Sequence, residues 1–219
     1  MKDVLPEPIY AAISNHLIER ARKATDGWEG GSDEEDTLTG DLGGTLRTDW
    51  SPVLRENGAA WRWRVSYKKF RGRGPGAFEK ESGADGIFQI EVSRGLEKYF
   101  KGLLFQAKKV GNLDGELVSQ IERIEQLAAG GSAVIEFGPV TYRAVSGSNY
   151  LQGRKNSHEQ PADYFQPLSE FLSNAFLPCI SGLRGLYYDA VRELLVLPNG
   201  VAHRISVRHR INIEAEQAT

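Results

Sequence analysis

The stretch GADGIFQIEVSRGLEKYFKGLLFQAKKV, residues 83–110, contains two apolar runs of strand length joined by a short polar link. The runs GIFQIEV and GLLFQAKKV predict two strands that pair as a hairpin. Because alternate residues of a strand point to the same face, Gln106 and Lys108 project together, while Phe105 and Ala107 point into apolar packing on the other side. Asp85, at the start of the first strand, would then lie beside Gln106 and Lys108.

The segments around this hairpin predict a mixed α/β fold. WRWRVSYKKF, residues 61–70, alternates large apolar and basic residues and is typical of a strand. Helices are expected at 32–48, where Gly43 and Gly44 either weaken the helix or allow close packing against it, and at 112–131, with apolar residues on one face. Short strands follow on both sides of Pro139. The predicted core therefore has the order helix, strand, strand, strand, helix, strand.

The remaining segments are predicted as additions to this core within one domain, 1–219. A helix is expected at 5–25, a polar loop at 151–163 and a helix from residue 164 to Pro178. One or two strands are expected between Glu193 and Glu214, with a Pro-Asn-Gly turn between them. The core itself is predicted to span about 32–146, and 160–214 to form a C-terminal extension of helix and strand.

The composition is that of an ordinary globular protein, with 40% hydrophobic residues, 26% charged residues and a net charge of −2. Such a small net charge means that contact with nucleic acid would require a local basic patch. Cys179 is the only cysteine, which excludes an internal disulfide and a cysteine-based zinc cluster. With no apolar run of membrane-spanning length and no signal-peptide pattern at the N-terminus, we expect a cytoplasmic protein without a membrane partner.

The polar residues on the predicted hairpin need a chemical reason, because burying an acid, an amide and an amine together is costly unless they bind something. An acid and an amide oxygen suit magnesium, which prefers oxygen ligands and keeps several waters. A lysine two residues further on can contact a metal-bound water and a phosphate oxygen. This arrangement favours metal-assisted attack on a phosphodiester.

An acid on one strand and a (D/E/Q)-x-K triplet on the next, within this order of elements, resembles the PD-(D/E)xK nuclease superfamily. The matching residues are Asp85 in GAD and Gln106-Ala107-Lys108 in QAK, and the resemblance covers about 32–146. It implies a restriction-endonuclease-like core in which Asp85, Gln106 and the Ala107 carbonyl hold Mg²⁺, or Mn²⁺ in its place, while Lys108 positions the attacking water. Two departures are Ala84 in place of proline and Gln106 in place of the usual acid.

The missing charge at Gln106 makes a further carboxylate important, and in the family it often comes from the helix before the first strand. Glu35 is the first choice for this metal ligand and Glu34 the second. The alternative for Glu35 is a capping box, in which its side chain folds back onto the amide of Ser32. Glu79 and Glu81, just ahead of Asp85, are further candidates.

The segment WRWRVSYKKFRGR, residues 61–73, contains six basic residues, four aromatics and no acid. Lys68, Lys69, Arg71 and Arg73 lead into the loop before Asp85 and are predicted to hold phosphates of a nucleic acid. The alternative is a solvated edge strand kept soluble by its charge.

These features together predict a magnesium-dependent endonuclease acting on DNA. By analogy with the family, it would form a homodimer and act as the cutting subunit of a bacterial defence system against phage or foreign DNA. The alternative is a non-catalytic nucleic-acid-binding or assembly module that retains the nuclease fold. No cofactor motif supports a small-molecule enzyme. The GRGPG stretch lacks the Gly-Lys-Ser/Thr of a phosphate-binding loop, and the four histidines are scattered along the sequence.

Overall fold

The computed structural model describes residues 1–32, 34–70, 83–113, 115–155 and 164–218. The helices are α1 (Glu7–Lys23), α2 (Trp28–Gly31), α3 (Glu35–Leu46), α4 (Gly115–Leu127), α5 (Gly147–Lys155) and α6 (Leu168–Glu170). A 3₁₀ turn at Ala24–Gly27 precedes α2, and a π-helical turn at Phe171–Phe176 continues α6. Within this part of the chain, no helix has the length and apolar character needed to cross a bilayer.

In the described part of the chain, twelve strands form two sheets. They are β1 (Leu54–Glu56), β2 (Ala59–Lys69), β3 (Gly86–Arg94), β4 (Glu97–Lys109), β5 (Ser132–Phe137), β6 (Arg143–Ser146), β7 (Gln166–Pro167), β8 (Leu183–Arg184), β9 (Tyr187–Asp189), β10 (Leu194–Val196), β11 (Ala202–His203) and β12 (His209–Ala218). The large sheet has the order β1-β2-β12-β3-β4-β5-β6-β7, with β8 paired to β4. The small sheet has the order β11-β10-β9.

The large sheet is mixed and carries helices on both faces. β12 runs parallel to β3, and β4 runs parallel to β5, whereas the other pairs are antiparallel. One apolar core lies between the sheet and the helices α1 and α3 together with segment 168–177. A second core lies on the other face, against α4, Tyr150 of α5 and the small sheet.

The hairpin predicted from residues 83–110 is confirmed. β3 and β4 pair antiparallel from Gly86 opposite Phe105 to Arg94 opposite Glu97. The link between them is Gly95-Leu96, and Gly95 has a φ of +58°, which tight two-residue hairpin turns favour in glycine. Phe105 and Ala107 are buried in the first core, as their alternation with Gln106 and Lys108 predicts.

The predicted helices around 5–25, 32–48 and 112–131 are also confirmed, with α1, α3 and α4 at these places. The predicted loop at 151–163 is wrong for its first part, because residues up to Lys155 belong to α5. Ser146 caps this helix, since its hydroxyl accepts a hydrogen bond of 3.3 Å from the Asn149 N–H. Residues 156–163 lie outside the described part of the chain.

The C-terminal segment differs most from the expected architecture. β12 was expected as part of an extension outside the core, but it lies between β2 and β3 in the middle of the sheet. Its register pairs His209 with both Lys69 and Gly86. A core bounded at 32–146 therefore leaves out a central strand. The sequence of β12 predicts a strand but not its neighbours, because these pairings join residues more than 100 positions apart.

Candidate active site

A cavity of about 240 Å³ lies at the edge of the sheet where β3 and β12 begin and β4 ends. Its walls come from the N-terminus of α3, the residue before β3, the end of β4, the first half of α4 and the start of β12. Four of its lining residues were predicted from sequence as site residues: Glu35, Asp85, Gln106 and Lys108. The fold thus brings together side chains from three separate segments.

Asp85 is fixed by contacts with both neighbouring strands. Its carboxylate accepts a hydrogen bond of 2.8 Å from the N–H of Ala107, and its own N–H donates to the Phe105 carbonyl at 2.9 Å. Its carbonyl accepts from the N–H groups of Arg208 and His209, each at 3.0 Å. The contact with Ala107 is made through its N–H, so the Ala107 carbonyl remains a predicted ligand without a contact that supports it.

Gln106 places an unsatisfied acceptor at the cavity. Its side chain is 2% exposed, and among the described residues Oε1 has no hydrogen-bond partner. Gln120 of α4 lines the same cavity and is 4% exposed. Its Oε1 also has no hydrogen-bond partner among the described residues. A buried acceptor without a partner is costly, so two such oxygens at one cavity indicate a place for a cation or a donor.

Glu35 reaches the end of β4 instead of capping its own helix. The residue at the N-cap of α3 is Glu34, with no side-chain capping bond. The Glu35 carboxylate accepts a hydrogen bond of 3.0 Å from the N–H of Lys109, and its Oε2 lies 3.7 Å from Lys108 Nζ. The capping-box alternative is therefore wrong, and Glu35 is next to the predicted lysine. Lys108 has 14% of its side chain exposed and does not extend into open solvent.

Asp36, the next residue of α3, collects three donors on the cavity wall. It forms an ion pair with Lys69, and its Oδ1 lies 2.9 Å from His209 Nε2 and 3.3 Å from Arg208 NH1. Burial alone raises the pKa of Asp36, but the hydrogen bonds from Lys69 and His209 outweigh it and lower the pKa to about 2. Asp36 therefore stays ionised under all ordinary conditions.

His209 is held between Asp36 and Tyr67. Its Nδ1 lies 2.9 Å from the Tyr67 hydroxyl, and its ring is 1% exposed. Burial lowers the pKa of His209, although Asp36 acts in the opposite direction. Burial and the nearby charges of Asp36 and Asp41 raise the pKa of Tyr67 to about 12. Tyr67 is thus a neutral phenol that fixes the histidine ring.

The cavity offers oxygen donors of the kind that magnesium prefers. Within the described residues, no three side chains of the His, Cys, Asp and Glu types lie close enough together to hold a metal. Oxygen donors are nevertheless present in the Asp85 carboxylate and the unsatisfied Gln106 amide. Magnesium accepts such a mixed set of oxygens and completes its shell with water. The residues fit a weakly held ion bound by the Asp85 carboxylate and the Gln106 amide, with the Glu35 carboxylate lining the same cavity.

Of the four predicted phosphate-binding residues, the structure describes Lys68 and Lys69. Lys69 forms an ion pair with the cavity residue Asp36, while Lys68 Nζ lies 4.8 Å from the centre of the Phe70 ring. Arg71 and Arg73, like Glu79 and Glu81, lie outside the described residues.

The first half of the basic segment is neutralised by acids of β12, which is distant from it in the sequence. Arg62 donates to Glu216 at 2.6 Å and Arg64 to Glu214 at 2.7 Å, across the β2–β12 pair. Both guanidinium groups also lie over the Trp50 ring, at 4.5 and 4.6 Å from its centre. A continuous basic surface along β2 is therefore absent in the described structure. Positive groups at or beside the cavity include Lys108, Arg208 and Lys69.

Six cavity residues were not singled out from sequence: Asp36, Thr39, Glu116, Gln120, Arg208 and His209. Gln120 carried a usable signal, because it is a polar residue on the apolar face that α4 forms with Leu117, Ile121 and Ile124. His209 shares the face of Ile211 and Ile213 on β12, which also indicates a buried polar group. Arg208 gives no such signal, since only the position of β12 places it at the cavity.

No family model, curated protein or solved structure matches the chain significantly. The nuclease resemblance therefore depends on the residues named above and on their arrangement at one cavity.

Proposed function

We propose that this cavity is the active site of a magnesium-dependent endonuclease that hydrolyses phosphodiester bonds in DNA, built on a restriction-endonuclease-like core. The observation that carries the proposal is the buried amide oxygen of Gln106, which has no partner among the described residues and faces a cavity shared with Asp85, Lys108 and Glu35. A purely structural strand pair would gain stability by replacing such a glutamine with an apolar residue.

Each of these side chains has a distinct role in the proposed reaction. Asp85 and Gln106 would hold the metal, which supplies Lewis-acid activation of the phosphate and of a bound water. Asp85 is oriented for this by the Ala107 N–H, which fixes one of its carboxylate oxygens. Mn²⁺ has similar oxygen preferences and would substitute.

Lys108 would orient the attacking water and stabilise the negative charge that develops on the phosphate oxygens. The 3.7 Å separation between its Nζ and Glu35 Oε2 is too long for a hydrogen bond, so Glu35 pairs with the ammonium by charge without accepting one of its donors. Glu35 would hold Lys108 close to the end of β4. It would also supply the compensating carboxylate that the neutral Gln106 requires.

Two further expectations belong to this proposal by analogy with the family. A homodimer would place two cavities on opposite strands of one duplex. A chain with this core would serve as the cutting subunit of a bacterial defence system against phage or foreign DNA.

The alternative function is a non-catalytic module that binds nucleic acid or assembles with other proteins. It is favoured by one observation, namely that no three metal-binding acids or histidines converge in the described residues. The alternative predicts DNA binding without hydrolysis under all metal conditions.

Cleavage of supercoiled plasmid tests the proposal, with Mg²⁺, Mn²⁺ or EDTA and with the variants Asp85→Ala and Lys108→Ala. Both substitutions should reduce metal-dependent cutting by about 100-fold or more. Lys98→Ala is the matched control, since Lys98 also lies on β4 and pairs with a glutamate, Glu91, but at the opposite end of the strand. Cutting that survives in both site variants would contradict the assignment, and binding without cutting by the wild type would favour the alternative.

A further inference from the structure

Gln120 is a buried polar residue of α4 that has no role in the reaction proposed above. It lies on the helix face that packs Leu117, Ile121 and Ile124 into the second core, and it lines the cavity at 4% exposure. Its Oε1 has no hydrogen-bond partner among the described residues. A buried amide oxygen in this state is costly, so an apolar residue would suit this face better unless the oxygen binds something.

The backbone of α4 is held directly against the segment that carries Asp85. Gly83 has a φ of +73°, and a Cβ at this position would lie 2.7 Å from the Gln120 carbonyl oxygen and 3.1 Å from the Gln120 Cα. Glycine readily adopts this positive φ and has no side chain to fill the gap. Gly83 therefore lets α4 approach the start of β3, and Gln120 comes to the same cavity as Asp85, two residues after Gly83.

Gln120 and Gln106 present the same chemistry to the cavity from two different elements. Gln106 comes from the end of β4 and Gln120 from the first half of α4, and each has a buried Oε1 without a described partner. Glu116, one turn before Gln120, lines the cavity as well, so α4 brings a second oxygen-bearing side chain to it. The cavity of about 240 Å³ has room for an ion with several waters, since a water takes up about 30 Å³ in the liquid.

The substrate of the proposed reaction cannot itself satisfy these two amide oxygens. A phosphodiester and the deoxyribose beside it carry oxygen acceptors and no N–H or O–H donor. An amide oxygen that faces a phosphate therefore needs a cation or a donor between the two groups. The ammonium of Lys108 lines the same cavity but bonds to neither amide oxygen. Mg²⁺ can accept amide and phosphate oxygens in one coordination shell.

We propose that Gln120 Oε1 is a further ligand of the metal held by Asp85 and Gln106, so that the ion lies between β4 and α4. This inference rests on the proposed function for the presence of the metal. A site with two amide ligands is consistent with the finding that no three acids, histidines or cysteines converge in the described part of the chain. Because both amides are neutral, the ion is held weakly.

Mn²⁺ binding, measured by electron paramagnetic resonance from the loss of the free-ion signal, tests this ligand without requiring hydrolysis. Gln120→Leu should weaken Mn²⁺ binding roughly tenfold or more, because it removes an oxygen ligand. Gln120→Glu should bind Mn²⁺ more tightly than the wild type, since a carboxylate replaces a neutral ligand at the same place. Excess Mg²⁺ should release Mn²⁺ from the wild type, because both ions use the same oxygens.

Gln126→Leu is the matched control, since Gln126 lies on the same helix but is exposed and is not among the residues that line the cavity. It should leave the Mn²⁺ affinity unchanged. Thermal unfolding in EDTA separates a lost ligand from a lost fold. Gln120→Leu should unfold at the wild-type temperature or above it, because the unsatisfied oxygen is gone. If Gln120→Leu does not fold, the tighter binding expected of Gln120→Glu keeps the test informative.

The inference is overturned if the wild type binds no Mn²⁺, or if Gln120→Glu binds it no more tightly than the wild type. A folded Gln120→Leu with wild-type Mn²⁺ affinity would also overturn it and leave ordered water as the partner of Oε1. The two proposals can fail separately. Mn²⁺ binding that depends on Gln120, without plasmid cleavage under any metal condition, retains the ligand and removes the nuclease. Metal-dependent cleavage by a protein whose Mn²⁺ affinity is indifferent to Gln120 retains the nuclease and removes the ligand.

Discussion

The carboxylate of Asp85 accepts a hydrogen bond of 2.8 Å from the backbone N–H of Ala107, the middle residue of the Gln106–Lys108 triplet. Asp85 precedes β3, and the β3–β4 register pairs Gly86 with Phe105, so Asp85 comes next to Gln106. This one contact ties the acid of the first strand to the triplet on the second. It gives Asp85 a structural role in addition to the proposed metal ligation.

Asp85→Asn and Asp85→Ala should separate these two roles. Asparagine keeps an oxygen that can accept from the Ala107 N–H, so the free energy of unfolding should change by less than about 0.5 kcal/mol. Alanine leaves that N–H without its acceptor and should lower the free energy of unfolding by about 1–2 kcal/mol. Both variants should lose metal-dependent plasmid cleavage. Urea unfolding together with the cleavage assay gives the comparison, and an Asp85→Asn variant that cuts normally would show that the ionised carboxylate is not needed.

Gln106 and Gln89 are a natural matched pair for testing the unsatisfied amide. Both are buried at 2% and 1% exposure, but Gln89 Oε1 accepts from the Tyr188 N–H at 2.9 Å, whereas Gln106 Oε1 has no described partner. In EDTA, Gln106→Leu should therefore raise the free energy of unfolding by about 1 kcal/mol. Gln89→Leu should lower it by about 1–3 kcal/mol, because the Tyr188 N–H is left unsatisfied.

The thermal stability of the Gln106 and Gln89 variants in the presence of Mg²⁺ is a second measurement on the same two positions. The wild type and Gln89→Leu should gain thermal stability when Mg²⁺ is added, since a ligand that binds only the folded state stabilises it. Gln106→Leu should gain little or nothing. Equal stabilisation of all three proteins by Mg²⁺ would show that Gln106 does not hold the ion.

The local elements of this fold could be predicted from the sequence, because their signals lie within a few residues of one another. The alternation in residues 83–110 determined both strands and the shared face of Gln106 and Lys108. The position of β12 could not be predicted, since nothing in its own sequence specifies β2 and β3 as its neighbours.

The same distinction applies to the site. Strand periodicity places Gln106 and Lys108 on one face and Asp85 beside them, whereas Glu35 was selected through the resemblance to the nuclease superfamily. Arg208 and His209 reach the cavity only because β12 is inserted into the sheet, so a reading restricted to residues 32–146 could not include them. The pairing of Arg62 and Arg64 with acids of β12 could not be predicted either, because it also depends on the position of β12 beside β2.

The free energy of unfolding at low pH should show how much the contacts of Asp36 stabilise the protein. The contacts with Lys69 and His209 lower the folded-state pKa of Asp36 to about 2, below the value of about 3.9 for an unfolded aspartate. The resulting stabilisation is fully present above about pH 4 and is lost as the pH falls towards 2. Because the Asp36 side chain is 27% exposed, screening reduces the expected loss to about 1 kcal/mol.

Urea unfolding of the wild type and Asp36→Asn between about pH 2 and 6 measures this contribution. The difference in unfolding free energy between the two proteins should shrink as the medium is acidified through this window. Lys69→Ala should show an intermediate pH dependence, because one of the hydrogen bonds that lower the Asp36 pKa is removed. A constant difference between wild type and Asp36→Asn across the whole range would contradict the lowered pKa.

Gly43 and Gly44 are adjacent in α3 and should respond to alanine in opposite directions. A Cβ at Gly43 would lie 2.5 Å from Tyr67 Cε2 and closer still to Cδ2, whereas at Gly44 it would meet nothing within 4 Å. Tyr67 cannot easily move away, because its hydroxyl contacts His209 Nδ1 at 2.9 Å. Gly43→Ala should therefore lower the free energy of unfolding by about 2 kcal/mol through overpacking. Gly44→Ala should raise it by about 0.5–1 kcal/mol through helix propensity. Urea unfolding of both variants makes the comparison, and a Gly43→Ala protein as stable as Gly44→Ala would mean that Tyr67 does not pack against this helix.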